Sequence, residues 1–157
     1  MTPSRLQNEI RQSKPMPLEV EVHLNLKRTE ALLSWASEAL FREHGLTDVT
    51  YNILRILRGA GADGLPCGEI GKRMLTRVPD VTRLVDRLVK MDLVERYRTD
   101  EDRRLVFQVL TPKGKQLLAK LDDKVESIPR EQVAHMTKTE LKTLNSLLVK
   151  ARERVNP

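Results

Sequence analysis

The residues with the most directed chemistry lie between positions 77 and 104. Arg77, Asp80, Thr82, Arg83 and Arg87 fall in one short amphipathic stretch, and Asp102, Arg103 and Arg104 close a polar turn further on. A guanidinium presents a planar fork of donors that matches the O6 and N7 edge of guanine, or a pair of phosphate oxygens. Threonine suits phosphates or base edges. These are groups for recognising a polyanion rather than for making or breaking bonds. Catalysis asks for a nucleophile beside a base, a metal cluster or a loop that cradles phosphate. The chain has no phosphate-loop motif, no HExxH and no GxSxG. The run Gly59-Ala60-Gly61-Ala62-Asp63-Gly64 is rich in glycine, but it follows a helical pattern and precedes a turn, which is not the context of a dinucleotide fingerprint. Cys67 stands alone, so no intrachain disulfide forms. With only His23, His44 and His135 beside it, no usual Cys/His zinc set is expected.

Periodicity predicts a helix over 79–91. Val81, Leu84, Val85 and Leu88 share one side and must face a core. Pro79, Thr82, Arg83, Asp86, Arg87 and Lys90 occupy the other, and Pro79 suits a first helical turn. A helix that reads duplex DNA needs this division, and its N-terminal end usually enters the groove. That favours Arg77, Asp80, Thr82 and Arg83 over Lys90. Asp80 and Asp86 repel phosphate, so at an interface they must pair with Arg83 or Arg87, or accept from cytosine amino groups. A solvated amphipathic helix gives the same pattern, and the helix alone does not separate the two readings.

The downstream hairpin weighs on that choice. Two β-rich runs, 93–98 and 105–110, flank the polar segment 99–104. Arg96 and Arg98 lead into the tip, and Arg103 and Arg104 occupy it. Arginine on a thin loop can enter a narrow A·T-rich minor groove, where negative potential is concentrated. Asp102 is placed to pair with Arg104 and hold it extended. A charged surface turn is the plainer reading.

Charge placement agrees with a polyanion partner. Of a net +6, residues 1–71 contribute 8 Lys/Arg against 9 Asp/Glu, and residues 72–157 contribute 20 against 13. The excess therefore lies wholly in the second half. Trp35, Phe41, Tyr51, Tyr97 and Phe107 are the only aromatic residues. Single strands are usually held on aromatic platforms, so duplex DNA is the better match.

The remaining elements must position these groups. Residues 1–17, with Pro3, Pro15 and Pro17, read as an irregular arm. A helix over 18–44 carries Val22, Leu26, Leu33, Ala36 and Leu40, with Leu32, Trp35 and Ala39 beside them. So wide an apolar face calls for a packing partner, and a second subunit is the natural candidate. Gly45 fits the position after its end. Thr47 caps a helix of 48–58, a flexible connection runs through Gly59, Gly61 and Gly64 to Pro66, and a short helix spans 68–75. Thr111-Pro112 opens another helix, which Pro129 ends or kinks, and Thr137 or Thr139 caps the last. The expected fold is mainly α with a small β-hairpin wing: an arm (1–17), a dimerisation helix (18–45), a winged helix-turn-helix (46–111) and C-terminal dimerisation helices (112–157).

The stretch 46–121 resembles the MarR (multiple antibiotic resistance regulator) family of bacterial transcription factors. The matching pieces are Leu46-Thr47 with Tyr51, VTRLVDRL (Val81–Leu88), LVER (Leu93–Arg96), DEDRR (Asp100–Arg104) and LTPKG (Leu110–Gly114). Their order and spacing fit together over about half the chain. The resemblance implies a homodimer joined through its terminal helices that binds a pseudo-palindromic duplex operator, usually as a repressor. It implies that Val81–Leu88 lies on the recognition helix and that Asp102 and Arg104 are the wing aspartate and minor-groove arginine. It also implies release by a small-molecule effector, frequently phenolic or a carboxylate, or by cysteine oxidation. Asp92 departs from the family, which usually has glycine there, and should adopt a left-handed conformation at a local cost.

Other readings attach to single residues. Cys67 is expected to be an unremarkable thiol, Trp35 a core residue rather than part of a ligand pocket, the histidines surface or helix-end residues, and Lys142, Lys150, Arg152 and Arg154 a solvated face. No cofactor, metal or membrane partner is expected. No segment reads as a signal peptide or a membrane span, so the expected compartment is the cytoplasm. An enzyme, or a winged helix that binds protein, are the competing classes.

Overall fold

A computed structural model describes residues 4–98 and 105–155. Among these, the elements run α1 (Arg5–Glu9), α2 (Leu18–Arg42), α3 (Asp48–Ala60), β1 (Leu65–Pro66), α4 (Cys67–Arg73), α5 (Val81–Lys90), β2 (Val94–Arg98), β3 (Val106–Leu110), α6 (Pro112–Gln132) and α7 (Lys138–Arg152). A single 3-10 turn at Gly61–Asp63 links α3 to β1. The chain divides into two units, residues 1–120 and 121–157. Asp102, Arg103 and Arg104 lie outside the described residues.

In the first unit α3 is the hub and packs against α2, α4, α5 and β3. Its Ile53, Leu54 and Leu57 are fully buried, joined by Ile70 of α4, Val85 and Leu88 of α5, and Leu118 of α6. Burying each such side chain contributes roughly 1.5–3 kcal/mol. A reciprocal pair starts α3: the Thr47 hydroxyl accepts from the Thr50 backbone N–H at 3.2 Å, and Thr50 Oγ1 accepts from the Thr47 N–H at 2.8 Å. Gly45, at φ +70°, turns the chain out of α2. The Leu46 N–H then donates back to the Phe41 carbonyl at 2.9 Å, closing the helix end. Phe41 and Tyr51 stack across this corner with centroids 4.2 Å apart.

Several boundaries differ from the sequence reading. The arm is not irregular throughout. Ser4 and Gln7 form a capping box for α1, and Leu6 is 3% exposed. Glu9 lies between Arg28 at 2.6 Å and Arg5 at 3.0 Å, and Arg28 foremost holds its carboxyl below the usual range. A five-residue helix is marginal in water by itself, and tertiary contacts make this one stand. The glycine-rich connection contains β1, which pairs antiparallel with β3 to give the sheet order β1-β3-β2. Gly64 is required there: at φ +59°, a Cβ would sit 2.3 Å from the Gln108 carbonyl oxygen. Helix α5 starts at Val81, with Asp80 as its N-cap and Pro79 outside. The capping carboxylate fixes the start two residues later than the proline suggested. Pro129 does not end α6, which runs on to Gln132. Its carbonyl still accepts from the Val133 N–H at 3.3 Å, so only the bond that its own missing N–H would make is lost.

Helices α2 and α7 leave apolar side chains open. On α2, Leu32 is 63% and Trp35 73% exposed, so Trp35 is not core within the single chain. In the second unit, Thr137 and Glu140 cap α7 reciprocally, and the Thr137 N–H holds the Glu140 carboxyl below its usual range. None of the α7 residues is buried. No helix among the described residues is long and apolar enough to cross a membrane.

Candidate nucleic-acid interface

Helices α4 and α5 form a helix-turn-helix around the buried pair Val85 and Leu88. They approach closely at Gly71, where a Cβ would lie 3.4 Å from Val81 Cγ2. The turn between them is pinned from α3: Asn52 Oδ1 accepts from the Leu75 N–H at 2.9 Å. At the start of α5, Asp80 Oδ1 accepts from the Arg83 N–H at 3.0 Å, and the other carboxylate oxygen lies 3.9 Å from Arg83 Nε. A carboxylate at a helix N-terminus is favoured by the unsatisfied N–H groups and the helix dipole. Asp80 therefore shapes the leading end of α5.

The site residues separate into two groups. Arg77, Thr82 and Arg83 are exposed, and the Arg83 side chain is 81% accessible. Arg87 is also exposed, but its Nη2 donates to the Gly45 carbonyl at 2.9 Å and so ties α5 to the end of α2. Asp86 pairs with Arg96 on β2, a partner outside the alternatives of Arg83, Arg87 or a cytosine amino group that an interface position allowed it. This ion pair neutralises a carboxylate that would repel phosphate and fastens the wing strand to α5. No local spacing signals it, because the partners lie on different elements.

The base of the wing is held in the same manner. The Tyr97 hydroxyl donates to the Asp63 carbonyl at 2.6 Å, and its ring stacks on Phe107 with centroids 5.5 Å apart. Asp92 takes φ +60°, the left-handed conformation expected of it. Its carbonyl accepts from the Thr111 hydroxyl at 2.8 Å, and Thr111 Oγ1 in turn accepts from the Gly114 N–H at 3.0 Å, so the wing and α6 share one joint. The Cys67 thiol is half-buried and donates towards the Gln108 side-chain oxygen at 3.6 Å.

A cleft of about 620 Å³ opens behind α5, between the Lys90–Leu93 turn and the first turns of α6. Lys90, Lys113 and Lys120 rim it with His44, Gln116 and a single carboxylate, Asp92, which lies 4.0 Å from Lys113, and Met91, Leu93 and Leu117 supply apolar wall. Lys113 is held by donating to the Met91 carbonyl at 2.8 Å. Three cations against one carboxylate, around an apolar floor, suit a small organic anion.

The arrangement has relatives among known proteins. The MarR family model matches residues 44–105. A MarR transcription factor of known structure from Planctomyces limnophilus is 35% identical, covering 86% of this chain and 98% of its own, with a TM-score of 0.66. A mutant MarR from Escherichia coli, solved in complex with operator DNA, is 27% identical over 94% of this chain and 99% of its own, with a TM-score of 0.69. The homoprotocatechuate degradative operon repressor of E. coli is 26% identical over 123 residues, 78% of this chain and 81% of that protein. By its helix-turn-helix, its wing and these likenesses, the chain belongs to the MarR family of transcription regulators.

Proposed function

We propose that this protein is a homodimeric, sequence-specific duplex-DNA-binding repressor that a small organic anion releases. The observation that carries the reading is α5: apolar residues buried on one side, Thr82 and Arg83 open on the other, and a leading end fixed by Asp80. Arg77, Thr82 and Arg83 enter the major groove, with Asp80 orienting Arg83. Arg87 supports them from behind through Gly45. Asp102, Arg103 and Arg104 of the wing enter the adjacent minor groove. The exposed α2 face and the C-terminal helices join two copies, placing the α5 helices roughly 34–36 Å apart on a pseudo-palindrome. The E. coli MarR relative in complex with operator DNA supports the duplex partner, and the homoprotocatechuate operon repressor supports repression. The cleft rimmed by Lys90, Lys113 and Lys120 seats the effector. Adding an aromatic carboxylate to the preformed complex tests that part: the anion should release wild type and leave Lys120→Ala bound. We further propose that the protein has no catalytic activity and works in the cytoplasm.

The residue assignment is tested by comparing Arg83→Ala with Arg87→Ala on a specific duplex over a range of salt. If Arg83 reads a base, its loss weakens binding by about 1–3 kcal/mol and relaxes specificity at one position. Arg87→Ala should weaken all sequences alike and leave the salt slope unchanged, because no counterion-releasing contact is lost. A slope lower by about one ion for Arg87→Ala would make that residue a phosphate contact instead.

A further inference from the structure

At 89% exposure, Leu75 is the most open large apolar side chain among the described residues. The next most open are Val155, near the C-terminus after α7, and Trp35 and Leu18, which belong to the apolar face that α2 exposes along much of its length. Leu75 has no such company: it stands in the turn between α4 and α5. A single exposed leucine carries no message by itself. This one is set apart by its support and its surroundings. Its backbone is pinned by the 2.9 Å bond from its N–H to Asn52 of α3, so the turn presents it in a fixed place. Its exposed neighbours along the chain are mostly cationic, with Lys72 and Arg73 before it and Arg77 after it; Asp80, the nearest carboxylate after it, caps α5 and lies 3.9 Å from Arg83. The nearest acidic side chain before it, Glu69, is engaged by Lys72 at 2.6 Å. Basic surroundings suit a polyanion better than an apolar protein surface. In the major groove the apolar group a base edge offers is the thymine C5 methyl.

We propose that Leu75 reads a thymine through its C5 methyl group, at the edge of the base pairs that α5 contacts. The proposal rests on the duplex-DNA reading above and adds a specificity contact that is apolar rather than hydrogen-bonded. It assigns to the turn a base preference that the arginines alone do not supply.

The test begins by selecting tight duplexes from a random pool with the full-length protein. Each thymine of the selected duplex is then replaced singly by deoxyuridine, which removes the methyl and keeps every hydrogen-bonding group. Wild type should lose about fourfold in affinity at one thymine per half-site, the worth of burying one methyl-sized group. Leu75→Ala removes the contact in both half-sites of the dimer, so it should lose about 16-fold on the unmodified duplex, show no further loss at that deoxyuridine, and keep the wild-type melting temperature. Leu75→Ala binding the unmodified duplex as wild type does, or losing at deoxyuridine as wild type does, overturns the proposal. So does a selected duplex that needs no thymine. Retention of no duplex at all would overturn the DNA-binding reading itself, a result distinct from failure at the thymine.

Discussion

A chain carrying glutamate at both Leu32 and Trp35 is expected to fold, to sediment as a monomer, and to bind its operator about 100-fold or more weakly than wild type. The two side chains are 63% and 73% exposed in the single chain, so the substitutions break little within it. In the proposed dimer they lie in the α2 contact, where burying an unpaired carboxylate costs several kcal/mol. The loss in DNA affinity follows from linkage. One dimer engages two half-sites, and the second contact is made at the high effective concentration set by the first. Sedimentation velocity gives the assembly state, and anisotropy with a labelled duplex gives the affinity. A variant that stays dimeric would place the contact elsewhere, with the open α7 face next in line.

The second large effect concerns Gly114. Alanine in a helix is normally better than glycine by up to about 1 kcal/mol, so intrinsic propensity predicts a gain in stability. The structure predicts the reverse. A Cβ at Gly114 would stand 2.2 Å from the Leu93 carbonyl oxygen, and Leu110 Cδ2 would be 3.3 Å away. The first of these is a backbone atom in the joint between wing and α6, held further by the Thr111 N–H, which donates to that same carbonyl at 3.2 Å. Neither side can yield without opening the joint, and overpacking of this kind costs about 1–3 kcal/mol. The clash therefore outweighs the propensity gain. Gly114→Ala should melt several degrees below wild type in a thermal scan, and an unchanged or raised melting temperature would show that α6 can shift without cost.

Local chemistry made much of this fold legible. The caps at Thr47 and Thr137, the Thr111-Pro112 helix start and the left-handed Asp92 are each specified by a few adjacent residues, and the structure has them where the sequence indicated. The amphipathic pattern of Val81–Leu88 likewise gave the correct buried side. The remaining features depend on contacts across the fold. β1 spans only Leu65–Pro66 and exists because β3 accepts it. α1 is capped by Ser4 and Gln7 within a segment whose three prolines read as irregular. Asp86 and Arg96 lie on separate elements, as do Arg87 and Gly45, so the supports of the candidate site were not readable from spacing. Trp35 marks the opposite difficulty: an apolar stripe shows that a surface wants cover, but not whether its own chain supplies it. Of the candidate site, the exposed residues of α5 were legible and their second partners were not.

The central claim is that this protein reads duplex sequence. It is tested most directly by fluorescence anisotropy of the full-length protein with a selected duplex and a scrambled duplex of the same composition, titrated across a range of salt. The account predicts saturable binding to the selected duplex that exceeds the scrambled one by about a thousandfold or more, with a salt slope of several ions. Equal affinity for the two duplexes, or no binding even at low salt, would contradict it.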